Sequence, residues 1–516
     1  MEKKVIIVGA GPGGLTAGMI LANQGYKVEI FEKQNFIGGR TSTFNIDGFT
    51  FDLGPTFLMM KNVLENVFIK SGRNIEDYLA IKAIDPLYRI VYGDGKEFYP
   101  STNQSKMIEE LNRVFPYNED NYLRFMEKQK TKFDILFDCL KETYVYPKDL
   151  FKKELLKAIP HLGIGKSLFD VLGDYFREDD LKMAFTFQAK YLGMSPWNCP
   201  GGYSIIPYTE HADGVHHIMG GFGEITKAMS KVIAEEGGQI NLNAPVKELL
   251  IEDNRVIGVQ LKDGTLHHSD YTIINADFAH AMDNIVRDEH KKKYTRKKLA
   301  QKKYSCSTFM IFLGVDKVYD IPHHNIIFSN DYKENVAEIS DKKILSEDPS
   351  IYVQNAVVTD KSLSPEGKSA IYILVPVANN TSNINWTAER DKFRDKILDT
   401  LEKRGGLTDL RKHIVTEKVM TPDYWENEMS VYKGAVFNLA HNIPQMLFFR
   451  PHNEFEEFRG CYLVGGGTHP GSGLPTIFES ARITSDLIMH KDKINTTALK
   501  NQAGSIPPTK EPSHLH

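Results

Sequence analysis

The amino-terminal segment limits the possible folds more than any other feature, because a strand, a glycine-rich turn, a helix and a second strand follow without interruption. Residues 5–8 (VIIV) form an apolar, mostly β-branched run, which is typical of a strand buried on both faces of a parallel sheet. The next glycines have the spacing G-x-G-x-x-G: Gly9, Gly11 and Gly14. The first makes the turn, the second admits a pyrophosphate, and the third lets the helix pack on the strand. The sequence predicts an α/β fold with a doubly wound parallel sheet and a dinucleotide at its first helix.

The segment after the second strand separates FAD from other dinucleotides. Glu32 ends that strand, where a carboxylate accepts hydrogen bonds from a ribose and disfavours the 2′-phosphate of NADP. Residues 33–58 then contain a GGR triplet and a DLGP turn. A dehydrogenase that binds only NAD does not need these two elements. This stretch resembles the second signature of the flavoprotein amine oxidase and carotenoid desaturase superfamily. In that superfamily the GGR segment passes the FAD pyrophosphate and the DxGP turn lies near the flavin ring.

A second strand, loop and helix appear near the carboxyl end. The short apolar run at 461–465 (CYLVG) enters a glycine-rich loop, and Pro475 suits the first turn of the following helix, where its missing N–H costs nothing. The amino end of that helix can stabilise the negative charge that develops on a reduced flavin. Residues 462–475 (YLVGGGTHPGSGLP) resemble the carboxyl-terminal signature of the bacterial-type phytoene desaturase family of FAD-dependent oxidoreductases. Residues 51–60, 85–98 and 450–458 are similar to the same family.

The motifs and the resemblance together imply a cofactor site and a division into domains. The residues expected at FAD are Gly9, Gly11, Gly14, Glu32, Gly39, Arg40, Gly54, Pro55, Val246, Gly467, Thr468, Leu474 and Pro475. A discontinuous Rossmann-like FAD-binding domain is expected from residues 1–90, 220–288 and 456–490. Residues 91–219 and 289–455 are expected to form an amine-oxidase-like, mixed α+β substrate domain that faces the membrane. The polar segment 491–516 predicts a disordered tail.

The resemblance implies an enzyme that removes hydride and a proton from an acyclic polyene, with FAD as the acceptor of the hydride. A hydrocarbon offers no carbonyl or amine, so an apolar tunnel would have to bind it. A quinone or oxygen would reoxidise the flavin, and no residue is assigned as the base. A carotenoid terminal-methyl oxygenase, a polyene isomerase or saturase, and a non-catalytic flavin-bound carotenoid carrier remain alternatives. Residues 476–482 (TIFESAR) depart from the smaller residues of many family members, so we expect Phe478 and Glu479 to reshape the site or, in the case of Glu479, to form a capping box with Thr476.

Charge and hydropathy exclude several other classes of function. The formal net charge of −4 gives no general reason to bind nucleic acid. Four separated cysteines favour a reducing compartment, and the histidine spacing fits no metal template.

No apolar run approaches the roughly 20 residues of a membrane-spanning helix. The basic, amphipathic segment at 146–162 predicts peripheral binding to an anionic membrane, or alternatively a surface helix packed on the core. We therefore expect a cytoplasmic protein that is peripheral on the inner face of the cell membrane.

Overall fold

The computed structural model of the chain describes residues 3–494, and the rest of the predicted tail lies outside the described residues. Within that range the strands are β1 Lys4–Val8, β2 Lys27–Phe31, β3 Thr43–Ile46, β4 Phe49–Asp52, β5 Ile81–Ile84, β6 Arg89–Val91, β7 Glu97–Phe98, β8 Val215–Ile218, β9 Gln239–Asn241, β10 Val246–Glu252, β11 Arg255–Leu261, β12 Leu266–His268, β13 Tyr271–Ile274, β14 Ser307–Val315, β15 His324–Ile327, β16 Ile351–Asn355, β17 Ser369–Val377, β18 Ile414–Met420 and β19 Cys461–Leu463. The α-helices of the same range are α1 Pro12–Asn23, α2 Lys61–Lys70, α3 Gln104–Val114, α4 Glu119–Leu140, α5 Lys153–Ala158, α6 Leu168–Gly173, α7 Asp179–Ala184, α8 Ile205–Asp213, α9 Gly223–Glu235, α10 Phe278–Asn284, α11 Arg296–Ala300, α12 Tyr332–Ala337, α13 Trp386–Arg404, α14 Pro422–Asn427 and α15 Leu474–Lys491.

A parallel sheet brings the two ends of the chain together. Its strand order is β19-β13-β1-β2-β9, and each neighbouring pair is parallel. In β1, Val5 and Ile7 pack with the helices on one face of the sheet, whereas Ile6 and Val8 pack with the β10–β12 meander on the other. This two-residue alternation inside a continuous apolar run is expected of a strand covered on both sides. The predicted α/β class and parallel sheet are therefore confirmed.

A seven-stranded sheet forms the second layer, in the order β18-β14-β17-β16-β15-β6-β7. Its pairs are antiparallel except for β15 with β6. One face of this sheet packs on α13 through Phe393, Ile397 and Leu401 of that helix. The residues of alternate register, such as Met310 and Leu374, point the other way and line an internal cavity. This face of the sheet thus forms one wall of the cavity in which a ligand can bind.

The segment predicted as an amphipathic helix is broken into short pieces. Pro147–Phe151 and Ile159–His161 are 3₁₀ turns on either side of α5. The Asp149 carboxylate accepts hydrogen bonds from the backbone of residues 145 and 146 and so closes the first turn separately. Leu155 is buried, whereas Phe151 is 77% and Ile159 44% exposed, so the expected single apolar face does not form. Among the described residues, no helix is long and apolar enough to cross a membrane.

Candidate functional site

The amino-terminal glycine turn is held open by a neighbouring asparagine. Asn275 follows β13 and donates its side-chain amide to the carbonyls of Gly9 at 2.9 Å and Gly11 at 3.3 Å. A Cβ at Gly14 would lie 2.4 Å from the Gly9 carbonyl oxygen, so this position requires glycine for helix packing. The amino end of α1 lines the cavity at Gly11, Pro12 and Gly13, and a helix amino end is a favourable place for an anion.

Glu32 is buried at the carboxyl end of β2 and organises the same turn. Its carboxylate accepts hydrogen bonds from the backbone N–H groups of Ala10 at 2.8 Å and Gln34 at 2.9 Å. Ala10 in turn accepts a bond from Gly38, and Gly39 approaches Gly11, so the two glycine segments predicted from sequence meet. The acidic side chain also faces the cavity, as a ribose ligand would require.

Arg40 and Asp277 face the cavity near this turn and influence each other's charge. Burial lowers the pKa of Arg40, and nearby Asp277 opposes that effect; burial also raises the pKa of Asp277, against the effect of the guanidinium. Arg40 donates to the carbonyl of Val436, and Asn438 donates to the Asp277 carboxylate at 2.7 Å. The cavity wall therefore carries both a positive group, Arg40, and a hydrogen-bond acceptor, Asp277, which is fixed by Asn438.

The carboxyl-terminal glycine loop is supported by a buried arginine. Arg450 is 0% exposed and donates to the carbonyls of four residues, which are Leu439, Gln445, Gly466 and Thr468. Burial lowers the pKa of Arg450 to about 10. His441 accepts a hydrogen bond from the backbone N–H of Ser472 at 3.0 Å. The loop is consequently fixed by side chains beneath it, and its backbone remains available on the cavity side.

One continuous cavity of about 850 Å³ connects these elements. All of the predicted cofactor residues except Gly14 and Thr468 line it. Thr468 is 1% exposed and bonds to the carbonyl of Pro451, so its hydroxyl holds the loop instead of facing the cavity. The far end of the cavity has an apolar and aromatic lining, which includes Phe133, Phe137, Phe187, Tyr203, Ile205, Phe328, Tyr352 and Tyr372.

The departure from the family pattern at 476–482 reaches the cavity at Thr476 and Ile477, but not at Phe478 or Glu479. Phe478 is 1% exposed and belongs to the core beneath the parallel sheet. Glu479 pairs with Arg482 at 2.6 Å, and the Thr476 hydroxyl donates to the carbonyls of Ser472 and Gly473. The expectations that Phe478 and Glu479 reshape the site and that Thr476 and Glu479 form a capping box are wrong, because Arg482 competes for the carboxylate.

Several functional residues were not identified from the sequence. Asn275 and Asp277 follow β13 within three residues. Ligands bind at the carboxyl ends of the strands in such parallel sheets, so these two residues could have been predicted as site residues from their position after the strand. Arg450 bonds to the Gly466 carbonyl, 16 residues away, and His441 accepts a bond from the Ser472 N–H, 31 residues away; the sequence alone does not show these contacts. Among the described residues, no group of three or more histidine, cysteine or acidic side chains could hold a metal ion.

The arrangement fits a flavin dinucleotide. A helix amino end, a buried acid and the close approach of Gly39 to Gly11 meet at one end of the cavity, where added Cβ atoms would narrow the passage. A second helix amino end, that of α15, meets the same cavity at Leu474 and Pro475. An extended ligand with a diphosphate near one helix and an electron-accepting ring near the other matches these two positions.

Comparison with known proteins gives the same classification. Residues 12–489 match the family described as flavin containing amine oxidoreductase. The chain is 50% identical over 501 residues to a 4,4′-diapophytoene desaturase (4,4′-diapolycopene-forming) of Methylomonas sp., covering 97% of this chain and 98% of that protein. It is 34% identical to a zeta-carotene-forming phytoene desaturase of Myxococcus xanthus, covering 94% of each.

Solved structures share the fold at low sequence identity. An oxidoreductase from Methanosarcina mazei superposes with a TM-score of 0.62 at 18% identity, covering 94% of this chain and 100% of that one. A putrescine oxidase superposes with a TM-score of 0.59 at 12% identity, covering 95% and 99%. The predicted amine-oxidase-like fold is confirmed. By its family match and its relatives, the chain belongs to the flavin containing amine oxidoreductases and, within them, to the bacterial carotenoid desaturases.

Proposed function

We propose that the chain is an FAD-dependent desaturase of an acyclic carotenoid precursor, with the thirty-carbon 4,4′-diapophytoene as its first substrate. The observation that carries the proposal is the single cavity, which runs from two glycine-rich helix ends into an aromatic and apolar compartment. The 50% identical Methylomonas protein and a 33% identical Staphylococcus aureus protein are both named as 4,4′-diapophytoene desaturases. The S. aureus protein forms 4,4′-diaponeurosporene, so the number of double bonds introduced is an outcome for the assay.

The cofactor would be held by the residues expected from the sequence that line the cavity. The turn at Gly11 and the buried Glu32 would bind the diphosphate and ribose, and Val246 would meet the adenine. Gly467, Leu474 and Pro475 would contact the ring. When bound there, FAD supplies the two-electron acceptor for the substrate's hydride, and a quinone or oxygen would then reoxidise it.

The aromatic end of the cavity would bind the polyene by burying its surface. Tyr352 donates or accepts a hydrogen bond with Thr56 at 2.7 Å and with His324 at 2.8 Å, so its polar group is satisfied within the wall. Tyr372 donates to the Gly54 carbonyl at 2.8 Å. The walls therefore present ring faces instead of free hydroxyls, and binding would come from apolar burial worth about 25 cal/mol per Å².

We also propose that the substrate enters from the inner face of the cell membrane. An apolar surface with lysines between its members surrounds α5; we call it the membrane patch, and its exposed apolar residues are Tyr146, Phe151, Leu156, Ile159 and Ile164. Two more exposed apolar residues, Ile443 and Phe449, belong to a neighbouring segment. That segment lies near the patch because its Leu447 and Phe448 pack on the same small core as Leu155. That core also receives Phe133 and Ile205, which line the cavity. A lipophilic molecule would thus have a short path from the bilayer to the cavity.

A product assay tests the desaturase activity. The protein is expressed in cells that accumulate 4,4′-diapophytoene, and in matched cells that accumulate phytoene, and pigments are identified by absorption and mass. We expect a longer conjugated system and the loss of two hydrogens at each step. Incorporation of labelled dioxygen would indicate the oxygenase instead. Conversion without loss of hydrogen would indicate the isomerase, and an unchanged hydrocarbon with an unreducible flavin would indicate the carrier.

A vesicle assay tests the membrane patch. Phe151→Ser combined with Ile159→Ser should weaken sedimentation with anionic phospholipid vesicles at least tenfold, because two large apolar side chains no longer enter the interface. The control is Leu266→Ser combined with Val318→Ser, which removes two equally exposed apolar residues from other elements. Equal losses for both double variants would contradict the assignment of the patch.

A further inference from the structure

The reaction proposed above needs a proton acceptor, and the described part of the cavity offers few. Its carboxylates are Glu32 and Asp277, and both lie at the carboxyl ends of strands in the parallel sheet, where the nucleotide is proposed to bind. Glu32 already accepts bonds from Ala10 and Gln34, and Asp277 accepts them from His280 and Asn438. Neither carboxylate reaches the apolar compartment.

The other titratable groups near the glycine loop are poor acceptors. Burial and the nearby Arg450 guanidinium hold the pKa of His441 well below its usual value, and its Nε2 is occupied by the Ser472 N–H. Burial raises the pKa values of the tyrosine hydroxyls of the compartment, which are Tyr203, Tyr352 and Tyr372. A neutral phenol with a raised pKa does not take a proton from carbon near neutral pH.

Lys190 is the remaining basic group of the compartment. It lies in the 3₁₀ turn Phe187–Leu192, and it lines the cavity together with Phe187 and Leu192. The other lysines of the cavity wall, Lys33, Lys247 and Lys262, are exposed at the nucleotide end. Lys190 Nζ lies 4.7 Å from the centroid of the Tyr332 ring, and it has no hydrogen bond or ion pair with any residue that the structure describes. An amine without a fixed acceptor is free to take a proton.

The turn that carries Lys190 touches the support of the glycine loop. Gly193, directly after the turn, accepts a bond from the Cys306 N–H at 3.3 Å and packs against Phe437. Phe437 accepts a bond from the Ser472 hydroxyl in the loop itself. Lys190 is therefore on the wall between the proposed ring position and the aromatic compartment, where a polyene would pass.

We propose that Lys190, as the neutral amine, is the proton acceptor of the desaturation. One allylic C–H bond of the polyene gives up its hydrogen with the bonding electron pair to the flavin. The adjacent C–H bond gives its proton to Lys190 Nζ, and its electron pair forms the new carbon–carbon double bond. The resulting ammonium group returns the proton to water. A bound flavin would supply the acceptor for the hydride, and Lys190 takes the proton, so each cycle removes two hydrogens from the substrate.

The surroundings of Lys190 favour the neutral form. Burial lowers the pKa of Lys190 to about 8, so roughly a tenth of the groups is unprotonated at pH 7 and the neutral fraction increases as the pH rises through 8. The charged or titratable groups that face it are Cys306, whose pKa burial raises to about 12, and Tyr332, whose pKa burial also raises. Both are neutral at working pH and provide no counter-ion, so the only support for the ammonium form among these groups is the face of the Tyr332 ring.

Substitution tests the role of the amine separately from packing and charge. Lys190→Met keeps most of the side-chain volume, and Lys190→Arg keeps a positive charge that cannot be lost. Both should slow anaerobic flavin reduction by the polyene at least 100-fold, as expected when a general base is removed. Lys132→Met is the matched control, because burial also lowers the pKa of Lys132 to about 8, but it bonds to Gly201 and Ser204 and does not line the cavity. Full activity of Lys190→Arg would overturn the proposal, since it would show that charge alone is needed.

Two further readouts separate failure of this inference from failure of the proposed function. In the wild type, the flavin reduction rate should rise with pH to a plateau with a midpoint near 8, and Lys190→Ala should be partly rescued by methylamine. The pH dependence of acetic anhydride labelling at Lys190, read by peptide mass spectrometry on the flavin-loaded protein, should show the same midpoint without any turnover. If the wild type does not reduce its flavin with either hydrocarbon, the desaturase proposal fails. If it does and Lys190→Met matches it with an unchanged pH profile, only the assignment of Lys190 fails.

Discussion

At the scale of single residues, the first glycine motif contains positions with different requirements. Gly11 faces the cavity, whereas Gly14 faces the strand, with space for no Cβ beside the Gly9 carbonyl. Gly14→Ala should push α1 away from β1 and lower both the unfolding temperature and the flavin content of purified protein. Gly173→Ala is the control, since a Cβ there would meet nothing within 4 Å and should leave both measurements unchanged. Normal flavin content in Gly14→Ala would show that the helix can shift without cost.

Asp52 gives a residue-scale prediction about pH. It is 6% exposed, accepts a bond from the Phe222 N–H, and has its pKa raised by burial to about 7. The pKa of this carboxyl is higher in the folded than in the unfolded state, so the unfolded state loses its proton first as the pH rises. The free energy of unfolding therefore falls between about pH 4 and about pH 7. Asp52→Asn should therefore gain stability relative to the wild type across that window, by up to about 4 kcal/mol at pH 8. Chemical unfolding at several pH values measures this gain, and Asp47→Asn, in the exposed turn of the same hairpin, should show no such trend.

At the scale of elements, the glycine loop before α15 depends on an arginine from another segment. Lys cannot reproduce the fork of Arg450, which reaches the carbonyls of Leu439, Gln445, Gly466 and Thr468. Arg450→Lys should cost about 3 kcal/mol of stability and speed flavin release at least tenfold, because the loop backbone is no longer fixed. Flavin release followed by fluorescence checks this. Arg459→Lys, at an exposed arginine that donates to the Asp253 carbonyl, should release flavin at the normal rate.

Some of these elements could be predicted from the sequence and others could not. The order β1, α1, β2 and the position of β1 were predicted correctly, because buried strands, glycine spacing and helix periodicity are local signals. The helix was expected from Leu15 to a stop at Gly25, whereas α1 begins at Pro12 and ends at Asn23. The amphipathic segment at 146–162 does not form one continuous helix, since side-chain bonds from Asp149 and from Lys152 to Glu142 hold the separate turns, and its expected membrane binding stays a prediction. His441 and Lys190 lie in no motif found in the sequence, and Arg450 begins the family-like segment 450–458 without a role being assigned to it there. The contacts that give these residues their roles appear only in the folded chain. The cofactor end of the cavity was therefore predictable, and the base was not.

At the scale of the whole molecule, the cavity joins the parallel sheet, the seven-stranded sheet and the helices α4 and α8. A ligand that fills it binds the folded state alone and stabilises all of these elements together. Free FAD at 100 times its dissociation constant should raise the free energy of unfolding by about 2.7 kcal/mol. Calorimetry of flavin-free protein across FAD concentrations measures this shift. An unfolding temperature that does not change with FAD would contradict the proposed site.

The edge position of β19 has a consequence for how the protein is made. This strand and the glycine loop after it come from residues 461–473, yet they complete a sheet whose central strand is β1 at the start of the chain. While the ribosome is still adding the preceding residues, the nascent polypeptide lacks the glycine loop and the start of α15, which form one wall of the cavity. A chain that ends before residue 461 would lack this edge strand and the amino end of α15, and we expect it to bind no flavin.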